Sequence, residues 1–471
     1  MAVTIRHLND DASFFLLFEP LEMEHPTIGG SAGPFCVLLD PWITGPSTIF
    51  HSSISTTTHC NPACVSSLQE LPEPHLVIIS QQMSDHCHEE TLRQLLPSKT
   101  KTIILAEPAS ARLIRGWNYF DEDKVQVVPK WTAGTSGVVR IPVPPLIEGG
   151  RPGEVTVAFI SQRHDLLGLH NAIGITYRPP PAHTSSSYQS APIVSTTPTA
   201  ISSGRPGSHS TQCCVQNAAL PQSETTTTEA IRMPQSPTSP GLSSLYSVLS
   251  ADSLPLSDIS NGTNVTVATS VNPQEIFPAW SSCSSDGRRP AMSIIFSPHG
   301  IVYDNIHDYV TNHLIPEEAL PLTALLHCFD NVSNPWWLGG SVLLGAPTGA
   351  EIATRLGAKV WISAHDGEKH VRGLATGWLR TRKWRREEVI DKLLADSGDG
   401  TQDSPSWKTG EVVPSGRNAD GDKTTNFTKS RQRKRTEVIV LAAGEEVLVT
   451  SKGASSSYSL HKPNHCGLVS V

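Results

Sequence analysis

The sequence has no long apolar run. Nowhere does it approach the roughly 20 apolar residues that a membrane-crossing helix needs, so no membrane span is expected. Its start, MAVTIRHLNDD, lacks the basic segment followed by an apolar stretch that marks a secretory leader. An excess of positive charge is missing too: 36 Lys and Arg stand against 44 Asp and Glu. The chain as a whole therefore carries no electrostatic footprint for nucleic acid or for an anionic membrane surface. Nine cysteines show no framework spacing, and Cys213 and Cys214 are adjacent. An odd count of this kind reads as reduced thiols in a cytoplasmic protein. There is no Gly-x-Ser-x-Gly turn, so metal-free hydrolysis by Asp85 and His86 acting on a serine is the weakest reading.

Apolar content is modest at 38%, and there are 37 prolines, so part of the 471 residues is expected to stay outside any core. Residues 1–180 carry strand-like runs such as FFLLFEP (14–20), FCVLLDP (35–41), HLVIIS (75–80), KTIILA (101–106), VTVAFI (155–160) and AIGITY (172–177). HEETLRQLL (88–96) and EPASARLIRG (107–116) have helical spacing between strands, which indicates an α/β class. Residues 181–290 are Ser/Thr/Pro-rich without apolar period and read as a disordered insertion. Segments such as MPQSPTSPG (233–241) offer protein partners and phosphorylation sites there. The domain resumes over 291–396 with MSIIFSP, KVWISAHD and helical patterns at 316–329, 349–357 and 376–396. A polar linker (397–436) leads to a hairpin around Gly444 (437–453), expected to return to the domain, and then to a tail (454–471).

The regularity that carries chemistry is positional. HLVIIS leads to Asp85 and His86, VTVAFI to His164 and His170, SIIFSP to His299, and KVWISA to His365 and Asp366. Ligand-type side chains at the carboxyl ends of strands converge on one rim of an α/β sheet. Imidazole and carboxylate together suit zinc or another divalent ion. Taken singly, a histidine beside a strand is more often a hydrogen-bonded structural residue; four such strand ends together favour a site.

The succession FCVLLDPWITGPS, HLVIISQQMSDHCHEETL, VTVAFISQRH, SIIFSPHGIVY and GAKVWISAHDGEK resembles the metallo-β-lactamase superfamily. It is most similar to the lactonase-like and phospholipase-D-like branch, whose early strand also reads Leu-x-Asp-Pro-Trp. The resemblance covers about 1–180, 291–396 and 437–451, and implies an αββα sandwich with a dinuclear metal edge. Its motif His-x-His-x-Asp-His places Gln81 and Met83 where the first two histidines belong. The resemblance thus implies a lost first metal, with His164 or His170 standing where its third histidine was. It implies a retained mononuclear site of Asp85, His86, His299 and His365, with His299 replacing a bridging aspartate.

That site would make a metal-dependent hydrolase of a small-molecule ester, lactone, thioester or phosphodiester, with Asp366 or His164 moving the proton. Four protein ligands would close a tetrahedral zinc, so one must stay off or the ion must be five-coordinate. His88, His170 and Asn171 are further candidates for the site, and Trp336 and Trp337 for an apolar pocket. The alternative is a non-catalytic scaffold on the same fold, which loss of both motif histidines favours.

Overall fold

The computed structural model describes residues 1–20, 33–49, 51–132, 137–146, 148–165, 167–181, 290–396 and 435–455. All belong to one compact unit, Met1–Ser185 with Asn272–Val471; a second unit, Ser186–Val271, lies outside the described residues, as do the expectations for the insertion, the linker and the tail.

Two large sheets face each other. In the first, the strand order is Gly453–Ser455, Glu446–Thr450, Ala2–His7, Phe14–Glu19, Phe35–Leu39, Leu76–Ile79, Ile103–Ala106 and Val125–Val127. In the second it is Glu437–Ile439, Val360–Ser363, Ala324–His327, Met292–Ser297, Asn171–Arg178, Gly153–Ser161 and Val138–Val143. Each sheet is parallel towards one edge and antiparallel towards the other. The central parallel strands are mostly apolar because both of their faces are covered.

Alternation decides which face each residue meets. Val37, Leu39, Leu76 and Ile78 point between the sheets with Ile294, Phe296, Leu326 and Ile362. Their neighbours Leu38, Val77 and Ile79 point outward onto the helix Pro108–Gly116. On the other side Ile295, Leu325 and Trp361 lie under the helices Tyr303–Tyr309 and Gly345–Leu356. The layers are therefore α, β, β, α. Burying one such Leu or Ile stabilises the fold by about 1.5–3 kcal/mol before chain entropy is subtracted.

Four expected elements differ. The helix of 88–96 is only Glu89–Leu92, because Pro97 disfavours helical backbone at Leu96 and the Gln94 side chain accepts from the amide of Leu68. Residues 316–329 are not helical: Pro321 denies the backbone donor, and Ala324–His327 is a strand buried on both faces. Of the last expected helix, only Arg386–Asp396 is α-helical; Leu374–Trp378 is a 3-10 turn, and Arg380–Arg382 pairs with Asn331–Ser333. The hairpin around Gly444 is a crossing between sheets. Glu437–Ile439 adds in parallel to Val360–Ser363, while Glu446–Thr450 pairs with Ala2–His7.

Strands Asn171–Arg178 and Met292–Ser297 pair antiparallel, with Tyr177 opposite Met292. The two ends of the insertion thus emerge side by side, and a short loop can join them. Deleting 185–288 is expected to leave cooperative thermal unfolding intact, since loop length costs stability only logarithmically. A broad, non-cooperative melt would contradict this.

Two buried histidines make the fold acid-sensitive. Burial pushes His313 and His327 down to about 4 from 6.5, with Glu317 opposing at His313. His313 Nε2 lies 2.8 Å from the Thr156 hydroxyl, and His327 Nδ1 donates to the Cys328 carbonyl at 2.8 Å. Between these values the unfolded chain binds protons that the folded chain does not. Their stabilisation is complete above about 6.5 and is lost as pH falls towards about 4. Denaturant midpoints should drop across this window, and His313→Gln should flatten the slope.

Candidate metal centre

The loop after Leu76–Ile79 is pinned at its first residue. The Ser80 amide and hydroxyl donate to the two carboxylate oxygens of Asp40 at 2.7 and 2.5 Å. Asp40 ends the strand Phe35–Leu39, is fully buried, and has a φ of 38°, a conformation rarely adopted by a non-glycine residue. Its Oδ2 also takes His86 Nδ1 at 2.8 Å. That fixes the proton on Nδ1 and turns Nε2 into the space between the sheets.

The other two imidazoles have different neighbours at Nδ1. His299 Nδ1 lies 3.0 Å from the Val342 carbonyl, which can only accept, so its Nε2 is the free nitrogen. His365 Nδ1 lies within ion-pair distance of Asp11 Oδ1, 3.0 Å, and its amide donates to the Asp11 carbonyl at 2.7 Å. His365 sits at φ 67°, and a side chain at Gly367 would collide with the Asp10 carbonyl. Gly367 thus serves a close approach of two backbones. Carboxylates and carbonyls orienting histidine Nδ1 are the usual support of metal-ligating imidazoles.

Asp85, His86, His299 and His365 come together from both sheets, their ligand atoms all within 4.8 Å of one another. The Nε2 atoms of His86 and His299 are 3.1 Å apart, close to the ~3.3 Å separation of nitrogens around a tetrahedral zinc. Asp85 stands further off, Oδ1 3.9 Å from His86 Nε2 and Oδ2 3.8 Å from His365 Nε2. Asp85 Oδ1 is buried without a hydrogen-bond partner among the described residues. Two facing nitrogen lone pairs and an orphaned carboxylate oxygen suit a cation between them, so the donor set fits a divalent ion.

The electrostatics agree. Burial alone would raise Asp85, but His86, His365 and Lys369 outweigh it and hold the carboxyl low. Burial alone would lower His86, but Asp85 and Asp40 raise it. Burial, with His365 and His86, holds His299 far below the ordinary value. A metal would bind the deprotonated imidazoles, so its uptake competes with protonation of His86.

Other expected residues are placed differently. His164 is exposed on the turn after Gly153–Ser161, outside the cluster. His170 faces two carbonyls, Nε2 3.0 Å from Ser341 and Nδ1 3.3 Å from His299, and braces the loop that carries His299. Asp366 accepts from the amides of Phe329 and Asp330 and from the Ser363 hydroxyl, which commits it to that loop rather than to proton transfer. Burial and then Asp330 raise it to about 7 against those hydrogen bonds. His88 caps the short helix through Thr91. Gln81 is buried with neither amide atom bonded among the described residues, and Asn171 Oδ1 is likewise buried and unbonded.

Sequence patterns missed Asp11, Lys369 and the role of Asp40. Lys369 Nζ lies 2.7 Å from Asp11 Oδ1 and 3.3 Å from His365 Nδ1. Asp11 stays ionised far below its ordinary value because His365 and Lys369 outweigh its burial. Asp40 was legible in LLDPW, whereas Asp11 lies in the turn after Ala2–His7 and is brought to His365 only by the tertiary fold.

Fold and cluster together define an α/β protein with a candidate metal centre between its two sheets. Comparison with protein-family models and with curated proteins finds no match. Among solved structures the chain is similar to an isothiocyanate hydrolase from Delia radicum gut bacteria, at 8% identity and a TM-score of 0.38, over 94% of this chain and 98% of that one. It is also similar to Igni18, a metallo hydrolase from the archaeon Ignicoccus hospitalis KIN4/I, at 9% identity and a TM-score of 0.35, over 95% and 98%. At those scores neither bears on the centre, which stands on its own geometry.

Proposed function

We propose that the chain is a metal-dependent hydrolase of the metallo-β-lactamase type with a mononuclear site. The observation that carries this is the convergence of three histidines and Asp85, with His86 and His299 each held through Nδ1 by an acceptor and His365 Nδ1 within ion-pair distance of Asp11. His86, His299 and His365 would hold the ion. Asp85, the most distant member, is then free of the constraint that four ligands would impose on a tetrahedral zinc. A bound divalent ion would polarise a carbonyl or phosphoryl oxygen and lower the pKa of a bound water to about 7.

The residues of the chain supply the rest. Asp40 and the Val342 carbonyl keep His86 and His299 in one tautomer, and the Asp11 carboxylate lies beside His365 Nδ1. Asp85 Oδ1 accepts the proton of the attacking water. The unbonded amide nitrogen of Gln81, in the position of a lost ligand, donates to an oxygen of a small-molecule ester, lactone, thioester or phosphodiester, and Asn171 Oδ1 can accept from a hydroxyl or amide elsewhere on that molecule. A buried amide left unbonded costs about 1–3 kcal/mol, and a substrate contact would offset that cost.

Equilibrium dialysis against zinc or manganese should give one ion per chain. A panel of those four substrate classes should show turnover that chelation removes. Asp85→Asn should keep the metal and lose turnover. Metal uptake without turnover would favour the scaffold reading, and no metal uptake would overturn the site.

A further inference from the structure

A net charge of −8 conceals a local reversal. From Lys369 to Arg386 the chain carries seven Lys and Arg and no Asp or Glu. Arg372, Arg380, Lys383 and Arg385 are exposed; Glu368, 3.4 Å from Lys383, and Glu388, which accepts from the Arg385 amide, offset part of this charge. In the same place the surface presents large apolar side chains. Trp336 is 87% exposed, Leu374 78%, Trp337 57% and Trp378 52%.

These groups form one surface. The rings of Trp337 and Trp378 lie 5.6 Å apart, edge to face. The strand Arg380–Arg382, directly after Trp378, pairs with Asn331–Ser333, directly before the turn that carries Trp336 and Trp337. Leu374 is tied by its amide to the Ser53 carbonyl at 3.0 Å. The same strands reach the metal centre. Ser341–Leu344 supplies the carbonyls that hold His170 and His299, and Lys369–Arg372 begins at the lysine beside Asp11.

We propose that this surface docks the protein on an anionic lipid bilayer. Exposed turns tipped with tryptophan and leucine protrude, and side chains exposed by three-quarters or more have no groove wall around them. A peptide or small ligand needs a concavity, whereas a lipid interface receives protruding side chains. Tryptophan places its ring at the headgroup level with its N–H towards water. The surrounding arginines meet lipid phosphates, to which their guanidinium groups bond in pairs. No helix among the described residues is long and apolar enough to cross a membrane, so the attachment is peripheral.

The test is co-sedimentation of the full chain with phosphatidylcholine vesicles, with and without phosphatidylserine. Binding should require phosphatidylserine and weaken with salt. Trp336→Ala with Trp337→Ala should lower the partition about tenfold. Replacing Arg372, Arg380 and Arg385 by Gln should lower it about fivefold per charge. Both variants should melt at the wild-type temperature, because the altered side chains are exposed. His365→Ala should bind vesicles as the wild type does, which separates this surface from the metal reading. Equal binding to neutral vesicles, or unchanged binding in either patch variant, would overturn the proposal. So would capture of single-stranded RNA or polyglutamate, rather than vesicles, through the same residues.

Discussion

His365→Ala should lose its metal and, with it, the stability that metal confers. His365 extends from Val360–Ser363 in the second sheet, while Asp85 and His86 follow Leu76–Ile79 in the first. An ion held by His86 and His365 ties the two sheets together at their shared rim. At a free metal concentration of about 100 times Kd, binding adds about 2.7 kcal/mol to the native state. For a domain of this size that corresponds to roughly 5 °C or more in melting temperature. Chelator should take the same amount from the wild type and almost nothing from His365→Ala. The variant should also show a smaller, chelator-independent loss from the broken contact with Asp11. If His365 were only a hydrogen-bonded residue at a strand end, wild type and variant would respond alike to chelator. Equal responses would sink its assignment as a ligand.

What the sequence disclosed followed from periodicity. The runs at 35–39, 76–79, 153–161 and 171–178 are strands because every second residue enters the core between the sheets and the others are covered as well. Strand ends then pointed to Asp85, His86, His299 and His365, since the carboxyl ends of parallel strands share one rim. The misread elements lacked that signal. Ala324–His327 is short, with three apolar residues in a row before its histidine, so helix and strand periods cannot be told apart there. His88 and Asp366 carry the right chemistry at the right places, but local amides and hydroxyls claim them, and a sequence does not show which way a side chain turns. Asp11 was illegible for the opposite reason. It lies in the turn NDDAS, where Asn9 Oδ1 accepts from the amides of Asp11 and Ser13, and only the tertiary fold brings it to His365.

Asp11→Ala is expected to destabilise the protein by about 3 kcal/mol, because removing one member of a buried ion pair strands the other. Asp11 is fully buried and Lys369 is 14% exposed, so the ammonium left behind has little access to water. If that is the cause, adding Lys369→Met should restore most of the lost stability, since the methionine fills similar volume without a charge. Metal affinity should behave otherwise. Asp11 lies against His365 Nδ1, and without it the imidazole is free to rotate or to change tautomer. Loss of such an orienting partner costs about 10- to 100-fold in metal affinity. The double variant should therefore regain its denaturant midpoint but not its zinc binding. Recovery of both would mean that Asp11 serves only to neutralise Lys369. Recovery of neither would mean that the turn Asn9–Ser13 itself collapses without the carboxylate. Stability regained with affinity still lost is the result that assigns Asp11 to orienting the metal centre.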